Sequence, residues 1–269
     1  MKKMTISLAG STLATLFLLS AAATSAHAAT VGNTTSDAKI SFRAKLTPSA
    51  PVSPADGKTQ ITPTTPGMTN APTVASTDGL TLDYVPALNF GTHYVDAVNA
   101  HTWNAWAADD GSGKAIPQFM QVTDNRGTPT GPLGWSVALT QTAQFQGGTA
   151  GALTNAVLTF NADGTNNVVS ASANKATSAG NTAVHALTPG TAVNIFQADA
   201  GTGTGTNLLN FGEKLGASLI DDPEALDSVN NTVKKVDPNI TLSVPAGSAK
   251  AANYTTTLNW NLYNAPGNT

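Results

Sequence analysis

From residue 79 onward, apolar and polar positions alternate in short runs. Leu80, Leu82 and Tyr84 share one parity before Pro86 interrupts them. Leu133, Trp135, Val137 and Leu139 share another, with Ser136, Ala138 and Thr140 between them. Residues 117–122, 153–160, 192–196, 240–244 and 254–262 are further short candidates. Asn125-Arg126-Gly127, Gly147-Gly148, Asp163-Gly164, Pro189-Gly190 and Pro245-Ala246-Gly247 punctuate them as turns. Period-two alternation sends successive side chains to opposite faces of a strand. Many such runs with turns between them predict an all-β fold, a β-sandwich (Ig-like or similar) with long loops. At most one short helix is expected, over 222–229, with Asp222 as its cap and Pro223 in a first turn that tolerates proline.

The pattern changes before residue 79. Residues 29–78 interleave Pro48, Pro51, Pro54, Pro63, Pro66 and Pro72 with Thr, Ser and Ala, and large apolar residues are scarce. Such a stretch buries too little surface to offset its ordering entropy, so a Pro/Thr-rich disordered linker is expected, extended by proline into a spacer. Within it Ile40, Phe42, Ala44 and Leu46 alternate weakly and suggest one short strand. Residues 1–28 read as a secretory signal peptide: Lys2 and Lys3, an apolar stretch over 6–19, then Ala26-His27-Ala28 as a small-residue cleavage site. Secretion to the cell surface or wall is therefore expected. No later apolar run, lipid-accepting cysteine or LPxTG-like signal offers a membrane or covalent attachment, so retention would require binding.

Composition narrows the partners. Charged residues are 11% of the chain, less than half the ~25% of ordinary soluble domains. Without Lys2 and Lys3 the thirteen basic residues become eleven against sixteen acids, a net charge of −5. Nucleic-acid binding leans on clustered Lys and Arg, so no nucleic-acid partner is expected. There is no cysteine, and an exported domain without disulfides must rest on a sizeable core. The region 79–269 is long enough to supply one.

Two patches carry a resemblance to a known family. One is Val122-Thr123-Asp124-Asn125-Arg126-Gly127 followed by Gly134-Trp135-Ser136-Val137. The other runs from Tyr254 through Leu258, Trp260 and Leu262 to Pro266. Together they resemble the WxL domain of Gram-positive surface proteins of the lactobacillus and enterococcus type. That family has a proximal Trp-x-Leu motif and a distal Y-x-x-x-L-x-W-x-L-x-x-x-P motif. The distal motif matches at every position, while the proximal one has Val137 in place of Leu. Leu80 to Tyr84 with Leu88-Asn89-Phe90-Gly91, and Leu242-Ser243-Val244-Pro245, resemble the family's supporting patches. The resemblance implies non-covalent attachment to the cell wall through 79–269, with peptidoglycan or another wall glycan as partner. It also implies membrane-anchored WxL-interacting proteins and other WxL proteins as alternative partners, in a surface complex without direct glycan binding.

The residues themselves leave two physical readings open. Tyr254, Leu258, Trp260 and Leu262 share a parity opposite Thr255, Thr257, Asn259 and Asn261, the ordinary mark of a half-buried strand. The same holds for Trp135 and Val137 around Ser136. Alternatively one tryptophan lies in a groove, where an indole face packs on the C–H groups of a sugar. A second aromatic cluster, His93, Tyr94, His101, Trp103 and Trp106, precedes Asp109-Asp110-Gly111-Ser112-Gly113 and reads as a loop. Of these Tyr94, His101, Trp103 and Trp106 are candidate glycan contacts, or else they cover one end of the sandwich. No H-E-x-x-H, G-x-S-x-G or cysteine nucleophile is present. Asp109-Asp110 and Asp221-Asp222 with Glu224 read as turn acids rather than a glycosidase pair. No catalytic residue, metal or cofactor is expected, and the chain is read as a non-enzyme.

Overall fold

The computed structural model describes residues 32–162, 167–211, 219–227 and 232–267; the expected signal peptide lies outside them. Contacts divide the chain at residue 42. Residues 32–42 carry no strand, and Ile40 and Phe42 are exposed.

The unit from residue 43 onward is all-β. Its strands are β1 (Leu80–Tyr84), β2 (His101–Trp106), β3 (Ala108–Asp109), β4 (Ala115–Ile116), β5 (Phe119–Asp124), β6 (Trp135–Gln141) and β7 (Val157–Asn161). There follow β8 (Val168–Ser170), β9 (Val184–Ala186), β10 (Ala192–Ala198), β11 (Gly205–Asn210), β12 (Ile220–Asp227), β13 (Thr232–Val244) and β14 (Leu258–Tyr263). Three antiparallel sheets pack as a sandwich, with orders β1-β5-β11-β8, β10-β6-β14 and β12-β13-β7-β9, the last also pairing β13 with β2. One apolar core draws on all three: Leu80, Met120 and Leu209 from the first, Trp135, Leu139 and Phe196 from the second, Phe160 and Ile240 from the third.

Three expectations are corrected here. The helix expected over 222–229 is strand β12 as far as Asp227, and residues 228–229 lie outside the described ones. The register with β13 shifts between Asp222 and Leu226, so Pro223, with no N–H to give, sits in a bulge rather than a ladder. Asp222 Oδ1 accepts the Glu224 N–H at 2.9 Å, closing a local turn instead of capping a helix. The single parity of Leu80, Leu82 and Tyr84 is also broken. A bulge between Leu82 and Tyr84 turns the tyrosine to the sheet's other face, where its ring lies 4.6 Å from Phe119. Finally, Leu133 precedes β6 and is exposed.

Among its described residues the Pro/Thr-rich segment contains no strand, but its second half differs from a free spacer. Asp83 is buried among hydrogen bonds from Thr81 Oγ1 (2.7 Å), Thr123 Oγ1 (2.5 Å), Gln121 Nε2 (2.9 Å) and the Ser49 N–H (2.9 Å). Gln121 accepts the Val52 N–H at 2.8 Å and donates to the Ala50 carbonyl at 3.1 Å. Val52 and Ile61 then pack on a second apolar cluster, Tyr84, Ile116, Phe119, Val169 and Leu208, on the outer face of the first sheet. Further on, Gln118 donates to Thr65 Oγ1 at 3.0 Å, and Val74 pairs with Leu82. Composition understated this segment because its anchors are buried polar groups on the domain, satisfied by the segment's own backbone.

Asp237, like Asp83, is a buried acid with no ion pair among the described residues. Asp237 takes N–H groups from Gln118 (2.9 Å) and Asn239 (3.1 Å), and burial pushes its carboxyl up to about 6.

Candidate functional site

The proximal and distal motifs are neighbours in one sheet. β6 and β14 pair so that Val137 faces Leu262 and Leu139 faces Trp260. β6 is the central strand, which explains the burial of its motif. Trp135 is 0% exposed, edge-on to Phe196 at 4.8 Å, and its indole N–H donates to the Gly203 carbonyl at 3.1 Å. Gly203 has φ +85°, and a Cβ there would stand 2.8 Å from Trp135 Nε1. Ser136 and Val137 are buried as well, with Ser136 Oγ donating to the Ala265 carbonyl at 2.9 Å. Arg126 fixes the same end. It forms a buried 2.7 Å ion pair with Asp124 and reaches the carbonyls of Gly134 (2.7 Å) and Asn264 (3.0 Å).

β14 is an edge strand and is half-buried. Leu258, Trp260 and Leu262 turn inward while Asn259, Asn261 and Tyr263 are exposed. Trp260 meets Phe160 edge-on at 6.0 Å, and its remaining surface lines an open cavity of about 520 Å³. Tyr254 and Leu258 of the distal motif line it too, whereas Leu262 and Pro266 do not. Gly147 makes room for Tyr254, since a Cβ there would lie 2.6 Å from the ring.

The opposite wall comes from residues 86–95 and from β2. Here the expected aromatic loop is partly a strand, since His101, Trp103 and Trp106 all lie in β2. Trp103 is stacked between His93 (4.4 Å) and His101 (5.3 Å). His93 Nε2 donates to the Phe90 carbonyl at 2.6 Å, and His101 Nε2 to Asp96 Oδ2 at 2.9 Å. That His101 bond, with the N–H groups of Asn99 and Val98, holds the Asp96 carboxyl well below the usual carboxylate range. Tyr94, Trp103 and His93 line the cavity; His101 and Trp106 do not. Trp106 faces Lys234 instead, whose ammonium lies 5.5 Å from the ring centre. Tyr94 is 98% exposed at the mouth. The two walls are tied together where the Gly247 N–H donates to the Asp96 carbonyl at 3.0 Å. The cavity therefore unites the distal motif with part of the first aromatic cluster, two patches about 150 residues apart in sequence.

The sequence model of the family described as "WxL domain surface cell wall-binding" matches residues 29–266. The chain belongs to that WxL family. No curated protein and no solved structure matches it. A WxL domain is a wall-binding domain of the cell surface, so the cell surface is where this chain acts and the wall is what it meets. The family match begins at residue 29, in keeping with the packing of 47–78 onto the sheets. Phe90, Asn253 and Lys250 also line the cavity. Only Phe90, within Leu88-Asn89-Phe90-Gly91, had been marked by a motif; the other two lie in a turn that carries no pattern. Among the described residues no group of three or more His, Asp or Glu is placed to hold a metal, and no helix is long and apolar enough to cross a membrane.

Proposed function

We propose that this WxL domain attaches an exported chain non-covalently to peptidoglycan, seating a glycan face in the 520 Å³ cavity, and that it works by binding and not by catalysis. The observation that carries this reading is the convergence of Trp260, Tyr254, Trp103 and Tyr94 on one open, preformed groove. Aromatic faces offer area to sugar C–H groups, and a largely preformed concave site is the usual form of a small-ligand pocket. Of the acids weighed for hydrolysis, Asp109, Asp110 and Asp221 are engaged elsewhere. Asp109 and Asp110 close turns onto Gly111 and Ser112, and Asp221 pairs with Lys235 at 3.0 Å.

The test is co-sedimentation of residues 29–269 with purified Gram-positive sacculi. Wild type should pellet with the sacculi, and Trp260→Ala should remain in solution while still folded. A folded wild type that stays in the supernatant would remove direct wall binding.

A second reading is favoured by the edge of β14. The Thr142 N–H donates to the Thr257 carbonyl, so Thr257, Asn259 and Asn261 turn their backbone groups toward β6. Leu258, Trp260 and Leu262 turn theirs outward. Among the described residues no hydrogen bond reaches that side. At the sheet's other edge Asn181 covers β10, accepting the Gln197 N–H at 2.8 Å and donating to its carbonyl at 2.7 Å. An open edge is a template for a strand from another protein, which suits retention by a membrane-anchored WxL-interacting partner. Under this reading surface retention disappears in cells lacking the partner, even though sacculi alone are not bound.

A further inference from the structure

The groove holds one formal charge. Among the described residues Lys250 is the only Lys or Arg that lines it, and no Asp or Glu does. The Lys250 side chain is exposed and, among the described residues, no carboxylate pairs with it. Its backbone is fixed to the distal motif, because the Lys250 N–H donates to the Tyr254 hydroxyl at 3.0 Å. In a chain of net charge −3, a groove whose sole charge is positive is a local exception.

Its hydrogen-bonding capacity leans the same way. Asn89 is consumed, donating to the Pro66 carbonyl at 2.9 Å and accepting the Gly91 N–H at 2.8 Å. The His93 N–H is spent on Phe90. What remains among the described lining residues is a three-donor ammonium, the Asn253 amide and the hydroxyls of Thr69, Thr92, Tyr94, Thr255 and Thr257, with no carboxylate to accept from sugar hydroxyls. The hydroxyls and the amide serve donors and acceptors alike, so the ammonium decides the balance, and a ligand that presents a carboxylate complements it better than a polymer of hydroxyls.

Resting on the peptidoglycan reading above, we infer that the groove seats the peptide-bearing amino sugar of the polymer, with a carboxylate of the peptide stem on Lys250. Bare glycan strand is then the poorer ligand. The apolar faces of Trp260 and Tyr254 take the sugar and its acetyl methyl, and Lys250 reads the charge at the mouth.

The experiment titrates residues 29–269 with a soluble disaccharide-peptide and with the same disaccharide after its peptide is removed. Wild type, Lys250→Gln and Lys250→Arg are compared, with sacculi sedimentation run in parallel. The peptide-bearing ligand should bind more tightly than the bare one. Lys250→Gln should weaken it by about two- to fivefold, as befits a solvent-exposed ion pair, and should leave the bare sugar unchanged. Lys250→Arg should restore it, and added salt should erase the difference. Equal affinity for the two ligands, or an unaffected Lys250→Gln, overturns the inference while sacculi binding still supports the wall reading. Failure to bind either ligand or sacculi overturns both.

Discussion

Trp135 and Trp260 share a residue type, a strand parity and a sheet, yet their surroundings differ. Trp135 stands on the central strand, has no exposed surface and spends its N–H on Gly203. Trp260 stands one strand away on an edge and leaves part of its ring to an open groove. Parity along a strand says which face a side chain takes; the number of neighbouring strands decides how deep it lies. The two halves of the WxL pattern thus divide the work, one holding the core and the other shaping a surface.

The largest expected effect is on the core half. Trp135→Ala should cost about 3–5 kcal/mol of stability, read as the midpoint of denaturant unfolding. Trp260→Ala should cost about 1–2 kcal/mol, since it empties less buried surface. Equal losses would erase the contrast. A pH effect should also belong to the interior. Asp237 has its carboxyl raised from the ordinary 3.8 to about 6 by burial, so the protonated form favours the fold. Its contribution should be fully present below about pH 4 and lost as pH rises through about 6, an amount bounded by roughly 3 kcal/mol. Asp237→Asn should flatten that part of the stability–pH curve.

Gly203→Ala tests the seat of Trp135 from the other side. A Cβ there would come within 2.3 Å of Ala198 Cβ, at a φ of +85°. A loss of about 2 kcal/mol is expected, measured by thermal unfolding, with Gly113→Ala as a control having the same sign of φ and open space around it. The smallest effect belongs to the groove mouth. Tyr94→Ala, at a 98% exposed position, should change stability by less than about 0.5 kcal/mol while lowering sacculi binding. Unchanged binding would confine the groove's contribution to its floor.

Much of this was legible in the chain. Alternation located β1, β5, β6, β7, β10, the end of β13 and β14 and the all-β class, because the period is local; β14 shows it in its burial, whereas β1 and β5 are buried on both faces. β2 was read as loop because the polar, glycine-containing Asp109-Asp110-Gly111-Ser112-Gly113 follows its aromatics closely. β12 was read as helix because the Asp222-Pro223 signal for a helix start also suits a bulge. The distal motif pointed to its own strand, but nothing local could show that residues 86–95 and 249–257 close over it. That meeting is a property of sheet order, which no short window contains.

The latch just past β14 bears on the order of folding. Arg126 finds its acceptor at Asn264, 138 residues further on, and Ser136 finds its own at Ala265, 129 residues further on. Contacts between such distant positions are slow to form, and their entropy must be spent before they return anything. The central strand of the motif sheet thus waits for the last strand to be made, so a chain cut short before residue 258 would present β6 with an open flank and its apolar row uncovered. Synthesis and closure are coupled in this domain: the making of β14 is the event that permits the sheet to finish.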